Sequence, residues 1–263
     1  MLNSKVDYRE LGVTKKNELK IEETEHLNIS VKRGVVGEKI WMGYIVADPS
    51  AESLPQHHQE SDTVHYVLNG KMIVSYGEGY KNSVELNEGD FIYIPPYHPY
   101  TFKNTSNTES LNIVTTMAPY FKVEYLDRNE NLEISSNVNK GEGVSIVRAS
   151  DLNNLTNQTK NMPRKTAVQA PNLWIGRVTG EPSKDSGAHH HGEAETAGFI
   201  ISGKTRIVHG EGYKDYEEYE TGDFLRVPPF LPHIERNVSK TETVEFLTAR
   251  NPRNIVVNLD RNL

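Results

Sequence analysis

Ten histidines stand in this chain of 263 residues, and nine of them fall in two blocks, 56–104 and 189–237. The second block offers the most chemistry. His189, His190 and His191 are consecutive, and His233 follows the pair Pro228-Pro229. Side chains on a strand alternate between its two faces, so His189 and His191 point one way and His190 the other. Two imidazoles on one face can share a metal ion. His233, delivered after a stiff Pro-Pro turn, can add a third from a strand distant in sequence. The competing reading is a solvated loop with an incidental histidine cluster. Glu235 lies two residues beyond His233, so it can face the same side as a general base or lie in water. Glu235 and Arg226 are the candidate catalytic residues, and His209 is a further candidate substrate contact.

Other chemistries are excluded or unsupported. The chain has no cysteine, so disulfides, Cys-ligated zinc, iron–sulfur clusters and thiol nucleophiles are ruled out. No Gly-rich phosphate loop and no Ser-His-Asp constellation in a recognisable context is present. A formal net charge of −7 argues against a general nucleic-acid binder. No apolar run is long enough to span a bilayer as a helix, and the opening MLNSKVDYRE lacks the apolar centre of a signal peptide. A cytoplasmic protein with a small-molecule partner, and neither a nucleic-acid nor a membrane partner, is the default expectation.

The elements that must position these residues are written twice. Glu78-Gly79-Tyr80-Lys81 returns at Glu211-Gly212-Tyr213-Lys214, an offset of 133 residues. The same offset carries His57-His58 onto His190-His191, Gly70 onto Gly203, Gly89-Asp90-Phe91 onto Gly222-Asp223-Phe224, and Trp41 onto Trp174. About 19 of the 49 positions from 56 to 104 are identical to their counterparts without a gap, which makes a duplicated domain the only sensible reading. The expected units are 1–131 and 132–263. The polar stretch from about 130 to 165 is the connection, with part of it packing as an N-terminal arm of the second unit. Each unit reads as short apolar or alternating strands bounded by Gly, Pro, Asn and Asp. Asp151–Asn157 is the one short helix expected. Many short strands at regular spacing predict an all-β sandwich or barrel.

The second block resembles the cupin superfamily. Its first motif, His-x-His, three or four residues, Glu, six residues, Gly, is approached by His189 to Gly203. Its second motif matches Gly222-Asp223 through Pro228, His233 and Asn237, with Phe230 in place of the usual Gly. Because the resemblance covers both halves, it implies a bicupin: two tandem double-stranded β-helix jelly-roll barrels. It also implies one divalent transition metal (Fe, Mn, Ni, Zn or Cu) held by His189, His191, His233 and a carboxylate. The carboxylate is where the sequence departs. Counting forward from His191 selects Glu195, which is the expected fourth ligand. Counting back from Gly203 selects Thr196, a poor ligand. The first unit departs further, with Gln56, His58, Thr63 and Tyr100 at the four ligand positions. His58, His65 and Tyr100 could still line its interior, and a degenerate barrel serving assembly or stability is expected.

The resemblance implies a metal-dependent enzyme acting on a small polar organic molecule, dioxygenase-like by analogy with common members. The alternative is a non-catalytic cupin that senses or sequesters a small ligand. A homodimer is expected, since bicupins resemble fused dimers and many assemble further.

Overall fold

The computed structural model of the protein describes residues 10–127, 143–152, 155–156 and 158–259. The expected unit boundary at 131/132 lies outside the described residues. Strands dominate, and the helical segments among the described residues are three short 3-10 turns. The expected helix over Asp151–Asn157 is replaced by the turn Ala149–Asp151 and the strand Leu155–Thr156, which pairs with Arg164–Gln169. Two jelly-roll barrels result, as the duplicated strand pattern requires.

Each barrel joins a long sheet to a short one. In the first, Asp62–Asn69 lies between Phe91–Ile94 and Leu111–Ala118, followed by Trp41–Ala47 and Ile29–Val36. Its outer sheet runs Gln56–His57, Tyr100–Asn104, Lys71–Tyr76 and Asn82–Asn87. The second barrel repeats this with Glu195–Ser202 between Phe224–Val227 and Val244–Asn251, and with Ile234–Asn237, Lys204–His209 and Asp215–Glu220 outside. The chain leaves the long sheet for the outer one at Gly70 and Gly203, whose φ values of 95° and 87° favour a residue without Cβ.

The two long sheets pack face to face. A single apolar cluster contains Met42, Val64, Tyr66 and Phe91 from the first barrel and Ala197, Phe199, Phe224 and Leu247 from the second. Asp62–Asn69 and Glu195–Ser202 are therefore buried on both faces, one against their own barrel interior and one against the other barrel. Arms are also exchanged. Gly12–Thr14 pairs with Phe224–Val227 of the second barrel, and Ser145–Val147 pairs with Phe91–Ile94 of the first. The arm expected to belong to the second unit thus completes the sheet of the first.

Polar clasps follow the same pseudo-twofold relation. Asp223 accepts hydrogen bonds from Lys16 N and Lys15 Nζ, both at 3.0 Å. Asp90, one offset earlier, accepts them from Ala149 N and Arg148 Nη1, both at 2.8 Å. The Gly-Asp pairs of the sequence motif tie the exchanged arms down. No helix among the described residues is long and apolar enough to cross a membrane.

Candidate metal centre

His189 and His233 form an antiparallel bridge, His189 N donating to His233 O at 3.0 Å and His233 N to His189 O at 2.9 Å. That bridge sets the two rings side by side, with centroids 4.4 Å apart. His191 lies beyond them, its centroid 5.0 Å from that of His189 and 4.9 Å from that of His233. One ligand atom from each of the three rings lies within 4.8 Å of the other two. All three residues are buried. His190 points outward, as alternation predicts. Its ring lies 6.0 Å from that of Phe230, and its Nδ1 accepts from Gly192 N at 2.9 Å.

Three backbone carbonyls orient the three rings. His189 Nδ1 donates to Gly187 O at 3.2 Å, His191 Nδ1 to Ile255 O at 3.2 Å, and His233 Nδ1 to Leu231 O at 2.9 Å. An imidazole carrying its proton on Nδ1 presents a bare Nε2 lone pair, and such outer hydrogen bonds commonly fix metal-ligating histidines. The Nε2 atoms of His189 and His233 are buried without a hydrogen-bond partner. His191 Nε2 accepts from Arg250 Nη2 at 3.3 Å. Burial holds all three imidazoles below their ordinary pKa, with the neighbouring charges adding to the effect at His189 and His191. They are therefore neutral near pH 7, the form that binds metal. Three convergent nitrogen donors, two of them orphaned, fit a divalent transition metal.

Glu195 is not in this cluster. Its carboxylate accepts from Arg226 Nη1 at 2.9 Å and from Lys39 N of the first barrel at 2.7 Å. The pseudo-symmetric position, Asp62, accepts from Tyr93 Oη at 2.6 Å and from Asn172 N of the second barrel at 3.0 Å. Glu195 and Asp62 are reciprocal clasps between the barrels. The physical reason is a tight turn, Ala194 N to His191 O at 3.0 Å, which resets strand parity before Glu195. Counting back from Gly203 selects Thr196 as the inward residue. Its Oγ1 is buried without a partner, and the corresponding Thr63 touches His58 at 2.7 Å.

Arg226 goes with Glu195. Its second nitrogen donates to Glu10 O at 2.8 Å, so it braces the interface and the N-terminal arm. His209 ends its strand opposite Asp215 and is not part of the triad. Glu235 is where alternation places it, buried, with Oε2 lacking a hydrogen-bond partner. Two residues that the motif did not single out are Arg164 and Arg250, both 1% exposed. Their counterparts in the first barrel are Val31 and Met117, so the repeat itself carried the signal: an arginine replacing an apolar residue twice.

Phe230 and Tyr97 occupy the position where the family pattern has Gly. Both keep the left-handed backbone, at φ 59° and 57°, and each lies against the outward histidine of its barrel.

Comparisons agree with this architecture. The Cupin domain family matches residues 43–116 and again 176–250. Oxalate decarboxylase from Lactobacillus farciminis, in a formate complex, superposes with a TM-score of 0.71 at 12% identity, covering 94% of this chain and 88% of that one. Oxalate decarboxylase from Bacillus subtilis gives 0.71 at 15% identity, covering 94% and 78%. A study of the Mn(II) centres of that enzyme provides another similar structure, at a TM-score of 0.70. The vicilin Pis v 3.0101 of Pistacia vera is 31% identical over 83 residues, which is 31% of this chain and only 15% of the vicilin. With two family matches separated by the same offset as the internal repeat, and a jelly-roll barrel at each, the chain belongs to the cupin family as a bicupin.

Proposed function

We propose that this bicupin is a metal-dependent enzyme acting on a small polar organic molecule, dioxygenase-like in its chemistry. The observation that carries the reading is the convergence of three neutral imidazoles, each tied through Nδ1 to a backbone carbonyl. A divalent metal on His189, His191 and His233 supplies Lewis acidity and coordination positions left open by the protein. The chain's own residues do the rest. Glu235 is a buried carboxylate with a free oxygen, suited to hold or accept a proton beside the metal ligands. These groups are buried, and burial strengthens the charge interactions among them. The oxalate decarboxylases similar in fold make small carboxylic acids the first substrates to try.

A second reading is favoured by one observation: no carboxylate completes the triad among the described residues. A barrel of this kind could bind its ligand without turning it over. Two measurements separate the readings. Metal content of protein purified without metal-affinity resin should come to about one ion per chain. Oxygen uptake or product formation should then appear when Fe(II)- or Mn(II)-loaded protein meets a panel of small organic acids. Stoichiometric metal with no turnover across that panel selects the binder, and no metal from any of Fe, Mn, Ni, Zn or Cu ends the enzyme reading.

A further inference from the structure

The first barrel shows which positions face a barrel interior. Val31, Gln56, His58, Tyr100, Phe102 and Met117 are among the residues that line its small central void of about 10 Å³. Carried forward by 133 residues, these are Arg164, His189, His191, His233, Glu235 and Arg250. The second barrel therefore turns two arginines and one glutamate toward its three histidines.

The hydrogen-bond partners of these arginines are neutral. Arg164 donates to Gln158 Oε1 at 3.4 Å and to Thr159 Oγ1 at 2.5 Å. Arg250 donates to Asn254 Oδ1 and, at 3.3 Å, to His191 Nε2. Each retains a buried Nε with no partner. Among the described residues, no carboxylate lies within ion-pair distance of either guanidinium, although Glu235 acts on both at longer range. A buried cation without an ionic partner is expensive. Two arginines against one glutamate leave the interior one positive charge in excess. A divalent metal on neutral imidazoles raises that excess to three, because Thr196 brings no charge where the family pattern has Glu.

We propose that the second barrel binds a small carboxylate whose oxygens bridge the His189–His191–His233 centre and the Arg250 and Arg164 guanidiniums. The ligand supplies the carboxylate that the chain itself lacks at Thr196. Arg250 carries the geometry, since its Nη2 already touches the Nε2 atom of His191 that faces the centre. A planar, forked guanidinium matches a carboxylate edge. In the first barrel, where the ligand set has decayed, Val31 and Met117 hold the two arginine positions. The complete histidine set and the two arginines thus occur in the same barrel.

This inference rests on the metal reading above, and the experiment keeps the two apart. Metal content is measured first, by elemental analysis. Oxalate, its neutral analogue oxamide, and inorganic phosphate are then titrated into metal-loaded and metal-free wild type by calorimetry. Oxalate should bind both forms, the metal-loaded one at least tenfold more tightly, and oxamide should bind neither measurably. Arg250→Gln and Arg164→Gln should each weaken oxalate at least tenfold while leaving metal content unchanged. If the loaded protein takes up no oxalate, binds oxamide equally, or prefers phosphate, the proposal is overturned. It is also overturned if folded Gln variants bind oxalate like wild type. A failure of metal loading alone would sink the metal reading, and arginine-dependent oxalate binding by the metal-free protein would still support this one. The wild-type contrast of oxalate with oxamide decides the matter even if a variant does not fold.

Discussion

The two barrels share a backbone plan and differ in how their interior nitrogen atoms are satisfied. In the first, Tyr100 takes the place of His233, and its longer side chain carries a hydroxyl into the space a metal would occupy. Gln56 Nε2 donates to Tyr100 Oη at 3.1 Å, and the hydroxyl also meets His65 Nε2 at 2.9 Å and His58 Nε2 at 3.2 Å. The other nitrogen of each ring meets a threonine: Thr63 at 2.7 Å from His58 and Thr115 at 2.8 Å from His65. The second barrel fixes its rings from outside and leaves Nε2 of His189 and His233 bare. Each buried polar atom left without a partner costs about 1–3 kcal/mol, a deficit a bound ligand can offset. One barrel satisfies its interior imidazole nitrogens with its own side chains, although Gln56 Oε1 stays without a partner, and its twin leaves two of its imidazole nitrogens bare. Metal competence in this chain is thus decided by a handful of inward residues, with the fold held constant.

The largest test of that contrast is the loss of the site. His191→Ala should reduce bound metal to near zero, as read by elemental analysis, because it removes one of three ligands. His58→Ala, the pseudo-symmetric change, should leave metal content unaltered, because Tyr100 and Gln56 already block that barrel. Equal loss in both would break the comparison. The reverse experiment sharpens it. Combining Gln56→His with Tyr100→His restores the histidine positions around His58 and removes the hydroxyl hub. Metal content should rise toward about two ions per chain. No gain in a folded double variant would mean that the surrounding residues, Val31 and Met117 among them, are as decisive as the ligands.

Next in size is Glu195→Ala, which separates clasp from ligand. Removing one partner of a buried ion pair strands the other, here Arg226, and typically costs about 3–5 kcal/mol. Denaturant unfolding should show a loss of that order, while metal content per folded chain stays unchanged. A large loss of metal with little loss of stability would return Glu195 to the coordination shell.

Glu195 also marks the limit of what the sequence could disclose. The duplication, the all-β barrels and the histidine triad were all legible, because the repeat has no gap and His189 and His191 sit on one continuous register. The carboxylate was not, because a turn intervenes and parity cannot be counted through a turn. Burial does not separate the two counts either, since Glu195–Ser202 is covered on both faces. The pattern that reads as a ligand set and the pattern that reads as an interface clasp differ by one residue. The exchanged arms were hidden for a different reason: Gly12–Thr14 and Ser145–Val147 are only three residues long, and their partners are set by the packing of the two barrels. Arg164 and Arg250 could have been found by asking where the repeats differ, since conversion of Val31 and Met117 positions to arginine makes no sense in an apolar core.

The smallest expected effect concerns acid. His65 is fully buried, and burial pushes its pKa from 6.5 down to about 3. The folded value lies below the unfolded one, so between about pH 6.5 and 3 the unfolded chain binds more protons and stability falls with falling pH. The contribution is fully present above pH 6.5. At pH 5 it should have shrunk by about 2 kcal/mol, from 1.36 kcal/mol per pH unit over that interval. His58 is shifted in the same direction, by burial first and then by His65 and His57. Replacement of His65 by Gln keeps a side chain able to reach Thr115 or Tyr100 and removes the titration. Unfolding free energies of metal-free wild type should therefore drop about 2 kcal/mol more than those of His65→Gln between pH 7 and pH 5. The metal-free protein is the right sample, because the second-barrel histidines are then common to both variants and cancel in the difference. Parallel losses would mean that His65 is already protonated at pH 7 or reached by water, and the sealed polar interior assigned to the first barrel would have to be abandoned.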